Sequence, residues 1–437
     1  MQNPTTQNNN VHISIPAATK TRSVWLKVGT LIDGENIRPL RNGHIVYDSS
    51  SILHVGDGQH PPPRNVVSPG QAKPDLDLPE FFLLPGLVEA HAHLFLEGGE
   101  LDAEKRAANL KQPHTQLLEA AGRRLEKLIL FGIAGVRDAG DKMGVGLSLS
   151  KLYESAARPL MPYIESPGAA INHRGGYGTF MSEPLENFRS PQECVLTRVN
   201  EGAAKVKLIV SDVIDFRSGV VVKEPQMSSN EVANFSAAAK KLGRQTFAHA
   251  TGDRGIENAV EGGVDSVEHG FFVRDDQLER MRDRQIAWTP TFSPVQKQID
   301  LAGIMGWDDK TEANLRKIVD QHSSSLLKAR ALGVTIIAGS DAGAIGVPHG
   351  FGLIDELRLM EAAGLSSLEV LLSATGNSSH RLDFKENFGL IKPGYLSRFI
   401  LTRFSPLESV ANLRKEKYVI FDGRVYENKE PINPDGM

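Results

Sequence analysis

Apolar and polar residues alternate with a period of two in SVWLKVGTLIDG (23–34) and GHIVYDSSSILHVG (43–56). Flanked by the turn signals Asp33-Gly34 and Asn42-Gly43, these runs predict a small sheet. QHPPPRNVVSPGQAKPDLDLPE (59–80) is rich in proline and polar residues and reads as a loop. After Pro85 the rhythm changes, and short apolar runs alternate with amphipathic helical stretches. The strand candidates are GIAGVRDAG, AAKVKLIV, QTFAHA, VDSVEHG, IAWTPTF and VTIIAGSDAG. Among the intervening helices, SSNEVANFSAAAKKLG opens on the capping pair Ser228 and Glu231 and stops at Gly243, and another runs from about Thr115 to Gly132. Strands alternating with helices predict an α/β fold built of βα units around a parallel sheet. Near Gly389 the β rhythm returns in GLIKPGYLSRFILT and KYVIFDGRVYENKE, strands that would complete the N-terminal sheet.

Composition narrows the function class. The 437 residues are 40% apolar and 23% charged, ordinary globular usage. A formal charge of −4, with no basic cluster, argues against nucleic acid or an anionic membrane as partner. No apolar run is long enough for a transmembrane helix, since FFLLPGLV is short and holds Pro85. Cys194 is the only cysteine, so an intrachain disulfide is impossible and any metal site must use nitrogen and oxygen ligands. These features predict a cytoplasmic protein, and residues 1–22, polar and rich in Asn and Thr, read as a disordered tail.

LPGLVEAHAHLFLEGG carries His91 and His93 one residue apart, on the same face if the segment is extended. A random chain with 13 histidines would hold roughly 0.4 such pairs, so the pair needs partners. Lys207, His249, His269 and Asp341 each follow or close an apolar strand core. In a closed parallel barrel those strand ends share one mouth. Four histidines and an aspartate suit Zn²⁺ or a similar ion. A lysine buried near cations is pushed toward its neutral amine, which CO2 converts to a carbamate, in effect a bridging carboxylate. Lys205 shares the face of Lys207, and periodicity does not choose between them.

The order HAH, GAAKVKL, FAHATGDRGIENAVEGGVDSVEHG and AGSDAG resembles the amidohydrolase superfamily, in particular the imidazolonepropionase-related group containing Xaa-Pro and Xaa-Arg dipeptidases with a carboxylated lysine. The resemblance runs from about Val28 to Val425. It implies a TIM-like (β/α)8 barrel over 85–388, with a small β-sandwich domain formed by 23–84 and 389–430. Two divalent ions per subunit, zinc by preference, would be held by His91, His93, His249, His269 and Asp341, with carboxylated Lys207 as bridge. Ala204 stands where the group usually has Asp. A metal-bridging hydroxide would attack a peptide-like C–N bond of a dipeptide or N-acyl amino acid, and Asp341 would act as catalytic base and then acid.

Other clusters yield further expectations. In NHRGGYGTF, His173, Arg174 and Tyr177 are candidate substrate contacts, as is Arg217 in FRSGV. Relatives often show Gly-Gly-His-Gly where Tyr177 stands, which leaves the substrate class open. Arg137 and Asp138 read as a buried structural pair, and His349 as a loop histidine. A mononuclear deaminase or a cyclic-amide hydrolase is the alternative on the same barrel, although ATGDRG after His249 lacks the deaminase H-x-x-E pattern. A non-catalytic binding protein is the third reading. The substrate would be a small molecule, and a homo-oligomer fits the family.

Overall fold

A computed structural model describes residues 13–156 and 159–428. The chain opens with β1 (Val24–Leu31), β2 (Leu40–Tyr47), β3 (Ile52–Gly56) and β4 (Leu76–Pro85). Nine strands follow: β5 (Leu87–Ala92), β6 (Ile133–Asp138), β7 (Tyr163–Glu165), β8 (Ala170–Asn172), β9 (Ser182–Pro184), β10 (Lys205–Ile209), β11 (Gln245–Ala250), β12 (Ser266–His269) and β13 (Ala287–Thr289). The last three are β14 (Arg398–Thr402), β15 (Lys417–Phe421) and β16 (Arg424–Asn428).

Strands from the two ends of the chain form one seven-stranded sheet, in the order β16-β15-β14-β4-β1-β2-β3. Only the β1–β4 pair is parallel. The sheet has its own core, including Leu26, Val28, Leu83, Phe399, Leu401 and Ile420. Part of the expected disordered tail joins it. Ile15 and Ala18 are buried in this core, and the Ala18 amide donates to the Gly423 carbonyl. Two apolar side chains and a backbone partner outweigh the polar character of their neighbours. Residues 1–12, the rest of that expected tail, lie outside the described residues. Asn42-Gly43 is not a turn either. Asn42 takes φ of +50° inside β2, and Gly43 pairs with Val28, where a Cβ would meet that of Leu31 at 2.6 Å.

The middle strands are all parallel, in two sheets ordered β5-β6-β7 and β13-β12-β11-β10-β8-β9. Residues 334–342 join the sheets along one side. The Ile337 amide donates to Trp288 on β13, while the Ala90 and His93 amides on the β5 side donate to Ala338 and Ala342. This segment, expected as a strand, makes the isolated bridges Trp288–Ile336, Ala92–Ala342 and Ala342–Ala344 instead. Its extended run is broken at Asp341, whose φ is +56°. On the other side, the Ala204 amide donates to Ser166 and Lys205 meets Glu165 at 3.3 Å.

Helices cover the parallel strands where apolar spacing predicts. The helix His114–Phe131 buries Leu117, Ala121, Leu125 and Leu128, spaced by three and four, and ends at Gly132 with φ of +80°. The helix Ser229–Lys241 begins with the Ser228–Glu231 capping box. Buried Arg398 joins the terminal sheet to the parallel strands. It pairs with Asp422 at 2.8 Å and donates to the Ala134 carbonyl and the Tyr153 hydroxyl. No helix among the described residues is long and apolar enough to cross a membrane.

Candidate active site

Parallel strands aim their C-terminal ends the same way, and the polar residues singled out by sequence gather there. His91 lies in β5 and His93 just beyond it, Lys207 is in β10, His249 in β11, His269 ends β12, and Asp341 closes the 334–342 segment. All six line one cavity of about 450 Å³. Lys205 is not among them. Its amine donates to the Leu382 carbonyl at 2.5 Å and meets Glu165 at the opposite end of β10. The Lys207 amine is buried without a hydrogen-bond partner, 4.8 Å from the centre of the Phe247 ring.

Hydrogen bonds fix which nitrogen each imidazole presents. The Nδ1 of His91 is 2.6 Å from Glu268 Oε2, and that of His93 is 3.1 Å from the Gly140 carbonyl. Both acceptors require a proton on Nδ1, leaving the lone pair on Nε2. The two Nε2 atoms stand 3.7 and 3.5 Å from Asp341 Oδ1. His269 Nδ1 is 2.7 Å from the Thr291 hydroxyl. His249 reverses the pattern, with Nε2 placed 3.4 Å from the Asp212 carbonyl. Its ring centre is 4.5 Å from that of His269.

Electrostatics favour ligands over ions. Burial, reinforced by Lys207, lowers His93 and His249 to about 3, and burial holds His91 and His269 well below the usual histidine range. Neutral imidazole is the form that binds metal. Burial also lowers Lys207 to about 8, with Glu268 opposing the change and Arg137 adding to it. Asp341 is raised to about 7 by burial, against the pull of Lys207. His91, His269 and Asp341 each offer one ligand atom within 4.8 Å of the others. Nitrogen and oxygen ligands sit about 2.0–2.2 Å from Zn²⁺, so a cluster of this size has the dimensions of a metal site. The His91 Nε2 and Lys207 Nζ atoms, buried and unpartnered, fit the same reading.

The remaining candidates are placed differently. Tyr177 lines the cavity, its ring 5.1 Å from that of His249. His173, Arg174 and Arg217 do not line it. His173 is held between Glu186 at 2.7 Å and Glu231 at 3.0 Å, Arg174 donates to Asn187, and Arg217 lies over Trp307. Carboxylate, amide and aromatic partners within the chain take up these side chains. Arg137 pairs with Glu268 at 2.8 Å rather than with its neighbour, because alternation turns Asp138 to the other side of β6, where Ser166 meets it. His349 is half-buried, its Nε2 3.1 Å from the His93 carbonyl.

Sequence reasoning passed over Glu268, although SVEHG contained it, and most of the apolar wall. That wall includes Leu96, Phe180, Phe216, Phe271 and Val295, drawn from segments far apart in the chain.

A family model described as "Amidohydrolase family" matches residues 82–426. The chain belongs to the amidohydrolase family. This amidohydrolase is a hydrolase acting on carbon–nitrogen bonds, and metal binding is typical of the family. It is 23% identical to the ochratoxinase of Aspergillus niger, over 93% of this chain and 86% of that protein. A Xaa-Pro dipeptidase solved with methionine bound in its active site superposes with a TM-score of 0.77 at 25% identity, covering 93% of this chain and all of the other. The A. niger ochratoxinase structure gives 0.76 at 21% identity, over 94% of this chain and 97% of that one. Family and neighbours imply a TIM-like barrel for the parallel strands.

Proposed function

We propose that this amidohydrolase is a binuclear enzyme that cleaves a peptide-like C–N bond of a dipeptide or N-acyl amino acid. The carrying observation is the convergence of His91, His93, His249, His269, Lys207 and Asp341 on one cavity, with the Lys207 amine buried and unpartnered. In this reading the two parallel sheets and the 334–342 segment make one (β/α)8 barrel, and the terminal sheet is the small sandwich-type domain. His91, His93 and Asp341 would hold one divalent ion and His249 and His269 the other, zinc by preference. Lys207, as a carbamate, would supply the anionic bridge. Its neutral amine adds to CO2, an N–C bond forms and a proton leaves, so the cavity gains an anion where an ammonium would repel cations.

Bound ions would supply Lewis acidity toward the amide carbonyl and a water acidic enough to deprotonate near neutral pH. Asp341 accepts the proton of the attacking water and passes it to the departing nitrogen, from a position 3.7 and 3.5 Å from the His91 and His93 Nε2 atoms. Tyr177, Phe180, Phe216 and Phe271 wall the cavity, and among the described residues Asp341 is the only carboxylate lining it. This lining favours substrates with bulky apolar groups and disfavours a cationic side chain. The ochratoxinase and the methionine-bearing Xaa-Pro dipeptidase are consistent with an apolar amide. The enzyme is read as cytoplasmic.

Elemental analysis of protein expressed with zinc and bicarbonate tests the reading. About two ions per chain are expected, falling to one or fewer in Lys207→Ala, together with metal-dependent amino acid release from apolar dipeptides or N-acyl amino acids. One ion per chain, indifferent to Lys207, would remove the bridged site.

A further inference from the structure

His91, Glu268 and Arg137 form a buried chain of hydrogen bonds across the interior between the two parallel sheets. Besides its 2.6 Å contact with His91 Nδ1, Glu268 receives Arg137 Nη2 at 2.8 and 2.9 Å on its two oxygens, and the Ser266 hydroxyl at 2.6 Å. Arg137 is anchored in turn. Its Nε donates to the Ala90 carbonyl at 2.7 Å, its Nη1 to Ser266 at 2.9 Å, and its guanidinium lies 4.3 Å from the centre of the Phe247 ring. Glu268 and His91 are completely buried, and Arg137 is nearly so.

A carboxylate held by three hydrogen bonds from Arg137 and Ser266 has little freedom to turn, and it offers only acceptors. The imidazole facing it must therefore carry its proton on Nδ1. Without that partner the ring could take either tautomer, one of which would aim an N–H at Asp341 instead of a lone pair. In the observed arrangement Nε2 has no hydrogen-bond partner and stands 3.7 Å from Asp341 Oδ1.

We infer that Glu268, held by Arg137, is a positioning residue that fixes His91 as the Nδ1–H tautomer and keeps Nε2 as a metal donor. The inference rests on the metal reading above and adds to it a residue that touches neither metal nor substrate. Because Arg137 also grips the β5 backbone at Ala90, ring and strand are registered together, and the guanidinium balances the charge that Glu268 introduces.

Two measurements test this. In the first, zinc affinity per folded chain is read by chelator competition for wild type, Glu268→Gln and Glu268→Asp, with circular dichroism to verify folding. Gln keeps the shape but must face either His91 or Arg137 with an NH2 group. Asp keeps the charge but is one methylene short. Both are expected to fold and to bind zinc about 10–100-fold more weakly. In the second, ¹⁵N-histidine spectra of zinc-loaded wild type are expected to show a slowly exchanging proton on His91 Nδ1, a readout that needs no variant. Wild-type affinity in folded Glu268→Gln, or a His91 proton on Nε2, overturns the inference alone. A wild-type chain that binds no zinc overturns the metal reading and this inference with it.

Discussion

At the scale of single residues the site depends on which atoms are left without partners. Asp341 sits within 3.7 Å of two histidine Nε2 atoms at the rim of the strands, with φ of +56° that only the surrounding contacts hold in place. Asp341→Asn is expected to leave the fold intact and to lower kcat/KM by roughly 10²–10⁴-fold, read by steady-state kinetics on any substrate found. Unchanged kinetics would take the proton-transfer role away from Asp341. The residue types of the cluster were legible in the sequence because each closes an apolar strand run, and strand alternation brought His91 and His93 to one face. Alternation could not separate Lys205 from Lys207. What separates them is the end of β10 on which each amine finds itself, and that depends on Glu165 and Leu382, distant in sequence. The fate of His173, Arg174 and Arg217 was hidden for the same reason, since a loop side chain's partner is set by tertiary packing.

At the scale of elements, the 334–342 segment carries Asp341 and lies directly against β5. Gly339 makes that approach possible: a Cβ there would meet the His91 Cβ at 2.7 Å, the Thr289 Cγ2 at 2.7 Å and the His91 amide at 2.8 Å. Gly339→Ala is expected to destabilise the protein by about 1–3 kcal/mol and to reduce metal content as His91 is pushed aside. Urea unfolding and metal analysis of the same preparation check both effects. Normal metal content in a destabilised variant would show the strain relaxing away from the site. Most strands and helices could be read from periodicity and caps, as at the Ser228–Glu231 box and Gly132. The Asn42-Gly43 signal misled because an Asn with positive φ serves a strand irregularity as well as a turn. Between β7 and β8, Ser166, Pro167 and Gly168 interrupt the run, and two short strands form in place of one.

At the scale of the whole molecule, the terminal sheet holds a buried amine with no acidic partner among the described residues. Lys417 donates to the Leu413 carbonyl at 2.6 Å, and burial lowers it from 10.5 to about 7. Between those two values the unfolded chain keeps a proton that the folded chain has lost. Stability therefore rises with pH across that window, and the full cost is present below it. Lys417→Met is expected to raise stability at pH 6, each pKa unit being worth about 1.4 kcal/mol, and to flatten the rise toward pH 10. Urea midpoints at pH 6 and pH 10 for both proteins read this, and parallel curves would contradict it. The same sheet has a schedule. β4 has β1 on one side, but its other neighbour, β14, is synthesised about 300 residues later. At roughly 5–20 residues per second, the open edge of β4 faces the cell for on the order of 15–60 s while the ribosome completes the catalytic strands. Nascent chains stalled before Arg398 should accordingly sediment or engage chaperones more than released chains, since an unpaired strand is a template for any other. The enzyme's exposure to aggregation is thus concentrated in its birth, and slowing translation between Pro85 and Arg398 should lengthen it.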